Sequence, residues 1–226
     1  MTLESTYSFR WFDDVQDVGL QRDLSMGAQP SAMDGKRRFD IAVSLMLLLL
    51  AGPLLLLAML AIWLGGLGRE PVLYRQIRVG LDGRHFPLLK LRTMRVDAER
   101  EGPRMATHND ARVTRIGRLL RLSRIDELPQ LINVLRGEMS LIGPRPERPE
   151  FVAQYERQIE GYALRHSIKP GITGLAQVRQ GYAENLQGAV VKLYHDLDYI
   201  RRCSLRTDLS ILLRTLPVVL TGWGAR

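Results

Sequence analysis

Residues 41–64 form a run of 24 residues in which Ser44 is the one polar side chain. At about 1.5 Å per residue, a helix of that length matches the roughly 30 Å hydrocarbon core of a bilayer. An amphipathic helix of a soluble domain shows a polar stripe, and this run has none. The sequence therefore predicts membrane insertion. The N-terminus does not read as a cleaved leader, because the run starts near residue 41 and acids precede it. Lys36, Arg37 and Arg38 lie before the run, and Arg69, Arg75 and Arg78 follow it. Positive charge marks the cytoplasmic side, and here both flanks carry it. Gly52-Pro53 sits at the centre, where a proline removes one backbone donor and bends a helix. A bent helix that enters and leaves by one leaflet satisfies both features. A plain span that tolerates its proline is the alternative.

The remaining composition sets the class of partner. Of 226 residues, 46% are hydrophobic and 25% charged, enough for a real core and too apolar for a disordered chain. Residues 1–35 carry a net charge of −4, so the rest of the +8 chain carries +12. A basic body of this kind expects a polyanion: nucleic acid, anionic lipid or a phosphorylated substrate. A lone cysteine, Cys203, excludes a disulfide framework and a Cys-based zinc site.

Past the apolar run, residues 71–78 and 84–94 read as two strands joined at Leu81-Asp82-Gly83, since Asp-Gly tolerates positive φ. On the second strand Lys90 and Arg92 face away from Leu89 and Leu91. Residues 97–112 are polar and read as a loop. Arg112, Arg115, Arg118, Arg121 and Arg124 recur every third residue. That repeat rotates around a helix, so most of these arginines are expected on a solvated face and one or two at a site.

Residues 126–137 are punctuated as a helix. Leu128, Leu131, Ile132 and Leu135 follow the i, i+3, i+4, i+7 rule, Pro129 suits a first turn, and Gly137 suits the stop. Asp126 and Glu127 then fall at the helix start, which favours anions. Capping accounts for one acid there but not for two adjacent acids among arginines. In Gly143-Pro144-Arg145-Pro146 two prolines hold an arginine on an extended backbone, a fork suited to phosphate, with an exposed structural turn as the alternative. Residues 149–160, 188–202 and 205–221 read as helices, and Lys169-Pro170-Gly171-Ile172-Thr173-Gly174 as a turn. The last helix, followed by Trp223, suits the membrane interface or a core.

His85, His108, His166 and His195 show no metal-binding spacing and are expected in surface or core roles. P-loop, G-x-G-x-x-G and G-x-S-x-G motifs do not occur. An acidic pair in basic, phosphate-friendly surroundings beside a membrane remains. Carboxylates acting on a phosphate substrate normally need a divalent cation, most often Mg²⁺, and a carboxylate can itself be a nucleophile that forms an acyl phosphate. The residues alone thus point to phosphoryl chemistry at a membrane surface.

From about Lys36 onward the chain resembles the bacterial sugar transferases, the monotopic polyprenyl-phosphate phosphoglycosyl transferases. The likeness rests on Lys36-Arg37-Arg38-Phe39-Asp40, on residues 74–80, and on Lys90-Leu91-Arg92-Thr93-Met94. It continues through Arg121, residues 126–135, residues 140–146 and residues 169–178, and ends with Asp196, Tyr199, Ser204 and Asp208-Leu209. The resemblance implies transfer of a sugar 1-phosphate from a UDP-sugar to undecaprenyl phosphate, with release of UMP. It implies Asp126 as the nucleophile of a phosphosugar-aspartyl intermediate, Mg²⁺ at Asp126 and Glu127, and Glu127 as the assisting carboxylate. Lys90, Arg92, Arg121, Arg145 and Asp208 match positions associated with substrate binding. The family's re-entrant helix breaks at a Ser-Pro pair; here Gly52 replaces the serine and Pro53 remains as the expected break. Relatives with Asn-Gly-Arg after the third block differ from Arg179-Gln180-Gly181-Tyr182 here, so no arginine role is carried to that spot. Long relatives add membrane helices and another domain, and this chain is expected to be the minimal form.

The expected architecture is α+β. It comprises an acidic extension (1–35), a re-entrant membrane helix hairpin (36–69) and a mainly helical catalytic domain (70–226) with a small β-hairpin and amphipathic interfacial helices. The expected location is the cytoplasmic face of a bacterial inner membrane. Membrane lipids, a second copy or other polysaccharide-assembly enzymes are the expected partners besides the substrates. Nucleic acid is not expected, because the arginines alternate with aliphatic rather than stacking aromatic residues. A membrane-anchored scaffold without catalysis is the alternative function, and the intact acid pair argues against it.

Overall fold

The computed structural model describes residues 30–221 except 101, 103, 105, 106, 108, 109 and 181–185. Most of the acidic extension, His108, Gly181-Tyr182 and Trp223 lie outside the described residues. Helix α1 (Pro30–Gly65) leads into an antiparallel hairpin of β1 (Leu73–Val79) and β2 (His85–Leu91). Then come α2 (Arg115–Leu122), a 3-10 turn (Ile125–Glu127), α3 (Gln130–Arg136), β3 (Ser140–Ile142) and α4 (Pro149–Gln158). A second 3-10 turn (Tyr162–Ser167), β4 (Gly171–Thr173), α5 (Leu175–Arg179), α6 (Leu186–Arg201) and α7 (Leu205–Thr221) complete the chain. The fold is mainly helical with a small hairpin, as expected from the sequence. The parallel pair of β3 and β4, where a turn was expected at residues 171–173, is an addition.

The hairpin closes as its Asp-Gly pair predicts: Asp82 and Gly83 take φ of 53° and 75°, and Gly80 N–H donates to the Arg84 carbonyl at 2.8 Å. One expected helix is corrected. Residues 126–137 do not form a single helix: Asp126 and Glu127 occupy the separate 3-10 turn, Pro129 precedes the first α-helical residue, and the helix starts at Gln130. Proline cannot donate to the ladder, so the hydrogen-bonded helix begins after it. Gly137, at φ 83°, ends it as expected. The buried residues of α3 include Val134 and Asn133 rather than Ile132 and Leu135, because neighbours cover more than one face. Asn133 ties it to β2, accepting from Leu89 N–H at 3.0 Å and donating to the Pro87 carbonyl at 2.9 Å.

Pro53, the expected break, lies inside helix α1, where it removes one backbone donor from the ladder. Its stretch Gly35–Gly65 has a mean hydropathy of 2.8, with 11% of the most apolar window buried; a soluble core helix would be covered. Lys36, Asp40 and Ser44, spaced by four, do form one buried polar face near its start. Lys36 meets Asp208 on α7 at 2.6 Å, Arg37 donates to the Val134 and Leu135 carbonyls that end α3, and Asp40 accepts from Leu141 N–H. At the far end Ala58 and Ile62 pack with Leu91 and Leu120. Both ends of the apolar run therefore rest on the same body, while Leu49 and Leu50 at its middle are exposed. On α7 the exposed residues Leu205, Leu209, Leu213, Leu216 and Val219 form an apolar stripe, and the opposite side buries Asp208 and Ile211.

Candidate active site

The acid pair is positioned by two close backbone approaches. A Cβ at Gly117 on α2 would collide with the Thr93 carbonyl, so only glycine lets that helix lie against the end of β2. Thr114 caps the helix through Gly117 N–H, and Arg121 Nε donates to Thr93 Oγ1 at 2.9 Å. The 3-10 turn that follows packs on β2 and brings Asp126 and Glu127 to Lys90. From the other side, Gly143 and Gly171 cross with no room for a Cβ on either, locking the Gly-Pro-Arg-Pro loop against β4. Arg165, almost fully buried and paired with Asp196 at 2.7 Å, donates to the Arg145 carbonyl at 2.8 Å. Arg145 is thereby held over the acid pair.

The two adjacent carboxylates are in opposite electrostatic states. Arg145 straddles Glu127, donating to Oε1 at 2.5 Å and to Oε2 at 3.1 Å, and Lys90 Nζ donates to Oε1 at 3.3 Å. Burial pushes the Glu127 pKa up, but the Arg145 and Lys90 charges outweigh it and hold the carboxyl well below its ordinary range. Asp126, 6% exposed, caps neither turn nor helix, and its Oδ1 has no hydrogen-bond partner among the described residues. Burial raises its pKa to about 6, with Glu127 adding and with Lys90, Arg121 and Arg124 opposing. Environments that drive neighbouring acids apart assign them different tasks: Glu127 is a fixed anion that holds two cations, and Asp126 is a carboxylate with an open oxygen. Burial pulls Lys90 below the usual lysine range, with Glu127 opposing.

Five of the seven sequence-predicted site residues thus converge: Asp126, Glu127, Lys90, Arg121 and Arg145. The other two stand apart in the contacts they make. Arg92 pairs with Glu70 just beyond α1. Asp208 is fully buried between Lys36 and the Tyr199 hydroxyl, which donates to it at 2.6 Å. Asp208 anchors α1 to the body, and Arg92 ties down the segment that follows that helix. The sequence reading missed Arg124, treated as one of a solvated series, and Arg165, which sits in no motif pattern. His85 is exposed and His166 buried. No cluster of three or more metal-ligating side chains occurs among the described residues. The open Oδ1 of Asp126 fits attachment of a hard cation by a carboxylate, whereas both Glu127 oxygens are engaged.

Comparison with known proteins finds relatives along most of the chain. The family model described as bacterial sugar transferase matches residues 31–222. The chain is 48% identical over 188 residues to a UDP-glucose:undecaprenyl-phosphate glucose-1-phosphate transferase of Caulobacter vibrioides, covering 82% of this chain and 70% of that protein. It is 45% identical over 191 residues to a UDP-N-acetylgalactosamine-undecaprenyl-phosphate N-acetylgalactosaminephosphotransferase of Aeromonas hydrophila, covering 84% of this chain. The match spans 45% of the Aeromonas protein, less than half of its length. An exopolysaccharide production protein of Rhizobium leguminosarum is 40% identical over 82% of this chain and 95% of its own length. With its acid pair, arginine fork and apolar helix all inside the matched residues, the chain belongs to the bacterial sugar transferase family.

Proposed function

We propose that the protein transfers a sugar 1-phosphate from a UDP-sugar to undecaprenyl phosphate and releases UMP. The observation that carries this reading is the buried Asp126 carboxylate, open at Oδ1 beside a neighbour whose charge is already matched. In the first half-reaction Asp126 attacks the β-phosphorus of the donor. The bond from that phosphorus to the bridging oxygen breaks, UMP leaves with the electron pair, and a phosphosugar-aspartyl intermediate remains. In the second, a phosphate oxygen of undecaprenyl phosphate attacks the same phosphorus, and Asp126 leaves as its carboxylate. A pKa near 6 keeps Asp126 largely ionised at neutral pH and still nucleophilic. Glu127 holds Arg145 and Lys90 where phosphate oxygens arrive. Mg²⁺ held by Asp126, with Glu127 alongside, would neutralise diphosphate charge.

The site lies on the cytoplasmic face of a bacterial inner membrane. Docking of both ends of α1 on one body supports entry and exit through a single leaflet, and the outward stripe of α7 supports contact with the interface. The lipid phosphate then meets the site at headgroup depth.

The test is UMP release by the purified protein with Mg²⁺, undecaprenyl phosphate and a donor panel that begins with UDP-glucose and UDP-N-acetylgalactosamine. Release, together with a phosphosugar adduct on the intact protein that Asp126→Asn abolishes, is the expected result. Undiminished release by Asp126→Asn would refute the nucleophile. No release with any donor, and no adduct, would leave the scaffold reading.

A further inference from the structure

Arg124 takes φ 58° and ψ 12°, a left-handed conformation that disfavours every residue with a Cβ. It occupies the position after the last turn of α2 and immediately before the 3-10 turn that carries the acid pair. Glycine is the ordinary occupant of such a position. This chain uses glycine at two equivalent places: Gly137 closes α3 at φ 83°, and Gly161 opens the second 3-10 turn at φ 72° and ψ 8°. Besides Arg124, two non-glycine residues share positive φ among the described residues. Asp82 belongs to a tolerant type at a hairpin tip, and Leu67 lies 84% exposed just past α1. A bulky side chain kept at a strained position calls for a function of that side chain.

Its placement indicates the function. Arg124 stands two residues before Asp126, and its carbonyl accepts the Glu127 N–H at 3.1 Å. Arg145 and Lys90, paired with Glu127, and Arg121, bonded to Thr93, share the surroundings of the acid pair with Arg124. A donor diphosphate approaching Asp126 brings two further negative charges, which call on every cation beside that carboxylate. The Arg124 charge already reaches both acids, lowering the pKa of each.

We infer that Arg124 is a phosphate-binding residue of the site, kept in a left-handed conformation so that its guanidinium meets the diphosphate of the nucleotide-sugar donor beside Asp126. The inference rests on the reaction proposed above. Its signature is opposed movement of stability and activity, which a structural role does not produce.

The experiment compares Arg124→Gly and Arg124→Lys with the wild-type protein in thermal unfolding, in UMP release and in protection by inorganic pyrophosphate without divalent cation. Arg124→Gly relieves the backbone and is expected to raise Tm by about 2–4 °C. The same variant should lose about tenfold or more in kcat/KM for the UDP-sugar and lose the pyrophosphate-induced rise in Tm. Arg124→Lys retains charge and strain, so it should keep the wild-type Tm and recover part of both losses. Wild-type-like kcat/KM in Arg124→Gly overturns the inference, as does a parallel fall in Tm and activity. If the wild-type protein releases no UMP, the proposed reaction fails, and the pyrophosphate arm decides Arg124 independently. Protection that is absent from the wild-type protein, or unchanged in Arg124→Gly, then overturns it.

Discussion

Arg145 spends its fork on Glu127, with Nη2 to Oε1 at 2.5 Å and Nη1 to Oε2 at 3.1 Å, and leaves the adjacent Asp126 without that neutralising partner. The planar pair sets the contrast between the two acids, and lysine cannot reproduce it. Arg145→Lys is expected to lower kcat/KM by about 10–100-fold, the range for losing a hydrogen bond to a charged group. Glu127→Gln removes an anion that raises the Asp126 pKa. In that variant the carboxyl resonance of Asp126, followed by ¹³C NMR, should titrate below the wild-type midpoint near 6. An unchanged midpoint would mean the two acids do not communicate.

The raised pKa of Asp126 is also a stability statement. Its folded value of about 6 exceeds the ordinary 3.8, so the protonated form is the one the fold favours. The stability it contributes is complete below pH 3.8 and is lost as pH rises through about 6. Asp126→Asn should therefore be more stable than the wild-type protein at pH 7.5, by about 1–3 kcal/mol, and equally stable at pH 3. Added Mg²⁺ should lower the Asp126 titration midpoint of the wild-type protein and raise its stability at pH 7.5, and should not raise that of Asp126→Asn. Chemical denaturation at the two pH values, with the metal titration alongside, checks both signs. A destabilised Asp126→Asn at pH 7.5 would show that the carboxylate is satisfied in the fold after all.

The sequence disclosed what short-range rules determine. The apolar run, the Asp-Gly hairpin and the Gly137 stop follow from composition, turn chemistry and periodicity over a few residues. The acid pair was legible as an oddity, two acids among arginines, but its asymmetry was not. That asymmetry depends on Glu127 reaching an arginine 18 residues away while the Asp126 Oδ1 has no hydrogen-bond partner among the described residues. Lys36 and Arg37 were readable only as membrane-flanking charge. In the fold they are docking groups, and Lys36 finds its partner Asp208 172 residues later. Arg124 hid among five arginines that recur every third residue, because backbone strain has no signature in residue type unless glycine supplies it. Arg92 and Asp208 belong to motifs, which group residues by family position and not by shared contact.

Asp208 makes a direct test of that last point. Its side chain is fully buried, with Lys36 and Tyr199 as its hydrogen-bond partners. Asp208→Asn strands a buried ammonium group and should cost about 3–5 kcal/mol. Lys36→Met/Asp208→Leu replaces the pair by apolar groups and should recover most of that loss. If Asp208 acts through anchoring α1, the double variant regains UMP release together with Tm. Recovery of Tm without activity would return Asp208 to the substrate-binding residues.

The arrangement of α1 yields a prediction about topology. A helix crossing the bilayer puts its ends on opposite faces, about 30 Å of hydrocarbon apart. Here Lys36 and Ile62 both bear on the catalytic body. In a Cys203→Ser background, cysteines introduced at Ser31 and at Arg75 should both be shielded from a membrane-impermeant thiol reagent in intact cells and both react after the membrane is opened. Labelling at residue 31 alone in intact cells would restore the plain span. The docking contacts of Lys36, Arg37 and Asp40 would then have to break in the membrane, and Asp208→Asn would leave Tm unchanged in lipid.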